Sequence, residues 1–327
     1  MAKQKSKKAI NGLIFKELIK RGYALEGKTR VWNIADSKLW YLTPQQSQAF
    51  LDLEKSKDYQ KEVIDKEIGL IHANIDEIIE QLGNDPVNII DLGCGDGKKA
   101  VLFLDKLKQQ TKDKKGIKRK VRYCPIDISS YMVEKALQNI RNTDVEEVIK
   151  FQWNISDFEN IENVASVMRY GDYKKNIFLL LGNTLGNFEI NELLYEIRSA
   201  MESGDLLIIG NGLDNRHPEE ILKAYTNNEV NNFLKHIPLQ IGLKENEIEF
   251  GTRFQNSRVE LLYSIKEEKT IEFNQKKLIL NAGDQLLVSV SYKYSADDFK
   301  SFLKMYFTKS EIFTSKDASY GFAVCKK

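Results

Sequence analysis

The chain of 327 residues is short of the side chains that most directly advertise chemistry. Its three cysteines, Cys94, Cys124 and Cys325, have no pairing pattern and no metal-ligand spacing, a usage that fits a reducing compartment. Its three histidines, His72, His217 and His236, are scattered, so no Ser/His/Asp triad and no zinc site is read, and there is no P-loop. Membrane-length apolar runs are missing, as are the apolar core and small-residue cleavage site of a signal peptide; a soluble, cytoplasmic protein is expected. A large excess of one charge is missing too. The net charge is +2 with 29% charged residues, which argues against a general nucleic-acid binder. Basic character is local: residues 1–8 hold four lysines, and residues 106–120 hold seven lysines and one arginine, both read as solvated tail or loop. Internal repeats and low-complexity linkers are likewise lacking.

What is present centres on residues 88–97, Asn-Ile-Ile-Asp-Leu-Gly-Cys-Gly-Asp-Gly. Residues 87–92 read as a buried parallel strand and 98–108 as the helix after it. Between them, Gly93, Gly95 and Gly97 permit positive φ and remove side chains, so that a ligand can lie against bare backbone and the helix amino end. Glycine at every second position, just after Asp91, resembles the first motif of class I S-adenosylmethionine-dependent methyltransferases and not the dinucleotide fingerprint G-x-G-x-x-G. That resemblance implies S-adenosylmethionine as cofactor.

The rest of the chain supports an α/β fold. Residues 9–83 read as largely helical, with Ile64, Ile68, Ile71, Ile75, Ile78, Ile79 and Leu82 at helical spacing. Apolar runs at 87–92, 121–126, 148–153, 177–181 and 205–209, most of them separated by helical segments, predict a Rossmann-like, doubly wound, mostly parallel sheet. Beyond 211 come a helical stretch (218–236) and alternating runs at 259–265, 270–273 and 285–291 that read as antiparallel, then a helix (295–305) and an end strand (320–325) returning to the parallel sheet. The expected domains are an N-terminal helical segment (1–83), a cofactor domain (84–211), an inserted α+β substrate lobe (212–294) and a C-terminal return (295–327). The first and third of these are expected to pack together over the cofactor.

Ligands of open α/β sheets sit beyond the carboxyl ends of the strands, which picks out three acids. Asp127 ends the second parallel strand, where it can accept hydrogen bonds from both ribose hydroxyls. Asp157 follows the third, placed to accept from an adenine amino group while Phe158 packs on the ring. Asp91 lies at the glycine motif and can shape the loop and balance the cofactor's positive charge. Lys99 either meets the cofactor carboxylate or is one solvated lysine of the pair Lys98-Lys99.

Residues 179–189, Leu-Leu-Leu-Gly-Asn-Thr-Leu-Gly-Asn-Phe-Glu, crowd glycines, amides and a threonine behind an apolar strand. They resemble the Gly-Ser-Thr-Ile-Gly-Asn-Phe signature of the histidine-specific Nα-methyltransferases of ergothioneine biosynthesis. Gly93-Cys94-Gly95 with Lys99, Pro125-Ile126-Asp127, Asp157-Phe158, Ala224-Tyr225-Thr226-Asn227 and Ser257-Arg258-Val259-Glu260 are similar to further segments of that family, in order, over residues 30–327. By this resemblance Asn187 and Tyr225 grip the α-amino and α-carboxylate groups of a small amino-acid-like substrate, and Trp32 aligns with a family tyrosine near the amine. Two plainer readings stand beside these: Asn187 as the cap of the next helix, and Tyr225 as helix-face packing.

The chain departs from the family at residues 288–294, Val-Ser-Val-Ser-Tyr-Lys-Tyr. Ser289 stands where the histidine enzymes carry a glutamate that, with the serine matched by Ser291, bonds the imidazole. Losing a charged hydrogen bond at a buried site costs about 2 to 5 kcal/mol in recognition, so an acceptor other than histidine is expected. Serines, Tyr292 and nearby aromatics suit a larger or apolar side chain, unless Ser289 faces outward, since a shift of one residue reverses its face. Glu260 or water is the expected acceptor of the amine's proton. The leading expectation is an N-methyltransferase for a small amino-acid-like amine. The alternatives are a protein or RNA methyltransferase and a non-catalytic binding protein of the same fold. No metal is expected, and a monomer is the starting expectation for assembly.

Overall fold

The computed structural model describes residues 10–110, 119–141, 143, 145, 147–150, 152–156 and 158–327. The chain clusters into two units, each made of two segments: residues 1–53 with 217–291, and residues 54–216 with 292–327.

The larger unit is built on a seven-stranded sheet. Its strands run in the spatial order Lys309–Thr314, Tyr320–Lys326, Leu206–Gly212, Lys175–Leu180, Val87–Leu92, Val121–Ile126, Glu147–Val148. The five strands from Leu206–Gly212 to Glu147–Val148 pair in parallel, whereas Tyr320–Lys326 is antiparallel to both of its neighbours. Val87–Leu92 is buried at every residue, as a strand covered on both faces must be. Alternate residues feed two cores. Ile90, Leu92, Phe178, Leu180 and Ile209 pack with the helices Ile161–Met168, Ile190–Ala200 and Ala296–Tyr306. Val87, Ile89, Ile177, Leu179 and Ile208 pack with the helices Asp65–Glu80 and Lys98–Gln110. The doubly wound sheet expected from the sequence is therefore present.

Three details differ from the sequence reading. The strand expected at 148–153 is only Glu147–Val148, followed by the short helical turn Gln152–Asn154. There Asn154 ties the turn to the neighbouring strand by donating its side-chain amide to the Pro125 carbonyl (2.6 Å). Lys309–Thr314 is an additional edge strand. Helix Asp65–Glu80, read as part of the N-terminal segment, belongs to this unit, because its Ile71, Ile75, Ile78 and Ile79 stripe is buried in the second core.

The smaller unit holds a five-stranded sheet in the order Ala24–Glu26, Thr29–Asn33, Gln285–Tyr292, Arg258–Ile265, Ile248–Gln255. Residues 9–83 are largely helical, as read, but the two short N-terminal strands were not foreseen. Thr29–Asn33 is too brief to register as a strand by itself, and what holds it is pairing with a segment some 250 residues on, Val31 opposite Gln285. That pairing is parallel, a partner the sequence reading of 285–291 did not foresee. Ile248–Gln255 and Arg258–Ile265 form a hairpin whose turn residues Asn256 and Ser257 both have positive φ (52° and 53°), the twist-matched geometry of a two-residue turn. Lys269–Phe273 and Lys276–Leu280 form a separate hairpin.

Candidate functional site

In the larger unit the strand order reverses direction at Val87–Leu92, since the next strands in sequence lie on its one side and the later ones on its other. Such a switch point leaves a crevice beyond the carboxyl ends of the strands. Two loops border it: residues 93–97 after Val87–Leu92, and residues 181–189 after Lys175–Leu180.

The glycine loop is pinned to the neighbouring strand. The Gly93 and Cys94 amides donate to the Ile126 carbonyl (2.8 and 3.0 Å). Gly95 has φ +51°, and a Cβ there would meet nothing within 4 Å, so its bare backbone faces open space. Gly97 is needed for a different reason: a Cβ would lie 2.9 Å from that of Ala136, on the helix Ser130–Ile140. Gly93 abuts the second loop, where a Cβ would come within 3.0 Å of the Thr184 methyl. The structure thus joins the two motifs that stand some ninety residues apart in sequence.

Two of the three predicted acids, Asp91 and Asp127, are buried. Asp127 accepts from the Gly95 amide (3.1 Å) and the Ser129 amide (2.9 Å), fixing the loop with one oxygen and the next helix with the other. Burial pushes its carboxyl up to about 6 against those two hydrogen bonds. Asp91 accepts from the Tyr123 hydroxyl (2.7 Å), and burial pushes it up to about 7. Glu54, at the end of the helix Pro44–Glu54 and unforeseen in the sequence, is also pushed to about 7 by burial; its electrostatic neighbours are Lys99, Asp96, Lys98 and Glu67. These half-suppressed carboxylates suit a positively charged ligand, whose charge would offset the cost of ionising them. Phe158 packs 5.0 Å from Phe188, centroid to centroid. Asp157 lies outside the described residues.

Of the two sequence readings of Lys99, the solvated lysine is the one the structure removes. It is half-buried and paired, its ammonium 2.8 Å from Oε2 of the fully buried Glu67. Asn187 ends the short helical turn Thr184–Asn187. The cap of the following helix is Glu189, which accepts from the Glu192 amide (3.1 Å), so the capping role considered for Asn187 falls to another residue. The Asn187 side-chain amide makes no hydrogen bond to a described residue.

In the smaller unit, Tyr225 and Ser291 share a hydrogen bond of 3.0 Å between their hydroxyls. Ser289 is buried and two residues along the same strand, hence on the same strand face as Ser291. This removes the outward-facing alternative. Beside that strand, the Trp40 indole donates to the Val288 carbonyl (2.8 Å), and Trp40, Tyr41, Phe50 and Phe233 form a ring cluster with centroids 5.3 to 6.4 Å apart.

Two expected substrate contacts are otherwise occupied. Glu260 is fully buried and accepts from Arg253 (2.6 Å), Arg258 (2.9 Å) and Gln255 (2.9 Å). Although burial opposes ionisation, these partners hold its carboxyl below the usual range, so it is a poor proton acceptor. Trp32 donates its indole N–H to Asp284 (3.0 Å), which leaves that donor unavailable to a substrate.

No described group of three or more His, Cys, Asp or Glu side chains is arranged to hold a metal ion, and no described helix is long and apolar enough to cross a membrane.

The chain is similar to ergothioneine biosynthesis protein 1 of Schizosaccharomyces pombe, with 26% identity over 179 residues, covering 53% of this chain and 22% of that much longer protein. Among solved structures it is similar to magnesium protoporphyrin IX methyltransferase from Synechocystis PCC 6803 (11% identity, 86% of this chain and 93% of that one, TM-score 0.43). The PH0226 protein from Pyrococcus horikoshii OT3 is another (15% identity, 84% and 94%, TM-score 0.42). Residues 37–327 match the family described as histidine-specific, S-adenosylmethionine-dependent methyltransferases, and with the strand order, the glycine loop and its acids in place, the chain belongs to that family.

Proposed function

We propose that this methyltransferase transfers a methyl group to the amine of a small amino-acid-like substrate other than histidine, one with an aromatic or apolar side chain. The observation that carries this reading is the pair of buried serines, Ser289 and Ser291, with the half-buried Tyr225 bonded to Ser291, which offers hydroxyls where histidine enzymes of the family offer a carboxylate. The nearby carboxylate Glu260, on the adjoining strand, is consumed by its arginines and does not replace it. The rings of Trp40, Tyr41, Phe50 and Phe233 supply an apolar environment in the same unit.

The residues of the switch point fit S-adenosylmethionine: bare backbone at Gly95, a carboxylate at Asp127 for the ribose, Asp91 and Glu54 for positive charge, and Lys99 for the carboxylate end. When bound, the cofactor supplies an electrophilic methyl on a sulfonium. The chain's part is to orient a neutral amine about 3 to 3.5 Å from that methyl and to exclude water. The free amide of Asn187 suits this, because it can accept from the amine's N–H while leaving the lone pair to attack. With the basicity of Glu260 lowered by its arginines, water is the acceptor for the amine's proton.

The test is S-adenosylhomocysteine release measured against the twenty amino acids and common aromatic amines, with a macromolecular cell fraction alongside. Release with an aromatic or apolar amino acid and none with histidine is expected. Release with histidine at comparable efficiency, or with the macromolecular fraction alone, overturns the reading.

A further inference from the structure

Glu67 makes the best-defined polar knot in the larger unit, and no sequence motif pointed to it. It projects from the helix Asp65–Glu80 and is fully buried. Its Oε1 accepts from the Gly182 amide and from the Tyr320 hydroxyl, both at 2.8 Å, and its Oε2 lies 2.8 Å from the Lys99 ammonium. Two glycines make room for the knot. A methyl group on Gly210 would overlap Oε1 of Glu67, and one on Gly182 would sit 2.5 Å from Nζ of Lys99. Four elements therefore meet at one carboxylate: the helix behind the glycine loop, the loop that carries Asn187, and the strands Leu206–Gly212 and Tyr320–Lys326.

Burying a carboxylate and an ammonium together costs desolvation that an apolar pair of similar volume avoids. Stability alone is thus a weak reason for the pair, whereas a fixed, charged ammonium at a switch point is useful to an anionic ligand group. We propose that Glu67 is a positioning residue of the cofactor site: it holds the Lys99 ammonium over Gly182, charged and aimed, to receive the carboxylate of the cofactor's amino-acid tail. This rests on the reading of Lys99 as the partner of that carboxylate, and the experiment separates the two.

The charged and titratable groups facing Lys99 are Glu67, Glu54 and Asp91, and Tyr320 faces Glu67. Burial lowers the Lys99 pKa, and the acids, Glu67 foremost, more than restore it. Glu67→Gln keeps an oxygen to accept from Gly182 and Tyr320 but removes the counter-charge, so Lys99 is left to deprotonate as pH rises. The probes are S-adenosylhomocysteine and 5′-methylthioadenosine, which shares the nucleoside but lacks the amino-acid tail, titrated calorimetrically from about pH 6.5 to 9.5.

The wild type is expected to bind S-adenosylhomocysteine with little pH dependence that Lys99 could cause. Glu67→Gln should bind it roughly tenfold more weakly at neutral pH and progressively more weakly above, while 5′-methylthioadenosine is unaffected. Lys99→Met should weaken S-adenosylhomocysteine by a similar factor without the added pH dependence. Equal weakening of both probes by Glu67→Gln means a merely structural role and overturns the proposal, as does wild-type binding of both. Wild-type binding by Lys99→Met sinks the premise about Lys99, and the proposal with it, yet leaves the cofactor site itself standing. Should Glu67→Gln not fold, the Lys99 side-chain resonance of the wild type, identified by its loss in Lys99→Met, decides: titration below about pH 9 with Glu67 intact overturns the proposal.

Discussion

At the scale of single residues, Asp127 and Asn187 divide the labour. Asp127 joins the Gly95 amide to the Ser129 amide, so its carboxylate both shapes the loop and faces the ligand space. Asp127→Ala is expected to weaken S-adenosylmethionine by about a hundredfold in calorimetry, as loss of charged hydrogen bonds at a buried site requires. Asn187, whose amide is bonded to no described residue, should behave in the opposite way. Asn187→Ala is expected to leave the cofactor dissociation constant within about twofold and to cut kcat by roughly a hundredfold, the signature of lost orientation. Unchanged turnover in Asn187→Ala would remove its substrate role. Asp127 was readable from sequence because a strand end and its acid are local. Glu67 was not, because nothing near it in sequence shows that Gly182, Tyr320 and Lys99 converge on its carboxylate.

At the scale of elements, the strand Leu206–Gly212 is shaped by what crosses it. Gly210 carries no side chain where the Glu67 carboxylate passes. Gly210→Ala should therefore force Glu67 aside and cost about 1 to 3 kcal/mol, seen as a lower midpoint in urea at unchanged slope. A variant as stable as the wild type would show that the carboxylate has room to move. The parallel strands that feed the switch point were legible in the sequence, since a buried strand is a continuous apolar run. The short strands Ala24–Glu26 and Thr29–Asn33 were not, because a strand of three to five residues gains its conformation from a partner and not from its own pattern. The same holds for the parallel pairing of Gln285–Tyr292, a relation between distant segments that alternation alone does not specify.

For the molecule as a whole, the suppressed acids give stability an unusual pH dependence. Asp91 and Glu54 are pushed to about 7 and Asp127 to about 6, in each case by burial first. Between the ordinary carboxylate range and about pH 7, the folded protein holds more of these protons than the unfolded chain, so their contribution to stability falls as pH rises. Asp284, Asp317 and Glu260 are shifted the other way, and their contribution is lost only as pH falls through their depressed values. The cofactor-free protein is thus expected to be most stable near pH 5 and to lose several degrees of Tm by about pH 7.5. A cationic cofactor favours the ionised acids, so S-adenosylmethionine should release protons on binding and flatten that decline. Calorimetry over this range, with and without cofactor, checks both; a Tm that climbs from pH 5 to 7.5 without cofactor contradicts the assignment.

The route of the chain has a consequence for how the molecule is made. Tyr320–Lys326 fills the gap in the seven-stranded sheet between Leu206–Gly212 and Lys309–Thr314, and Tyr320 supplies one of the two hydrogen bonds that hold Glu67. While the chain is still emerging from the ribosome, Leu206–Gly212 waits as a bare sheet edge for more than a hundred residues of synthesis, and the Glu67 knot lacks a member. Loss of the pairing made by Tyr320–Lys326 would reopen that edge. Until Tyr320–Lys326 is in place, the sheet offers an open edge that another strand could pair with, and Glu67 is held by one hydrogen bond fewer.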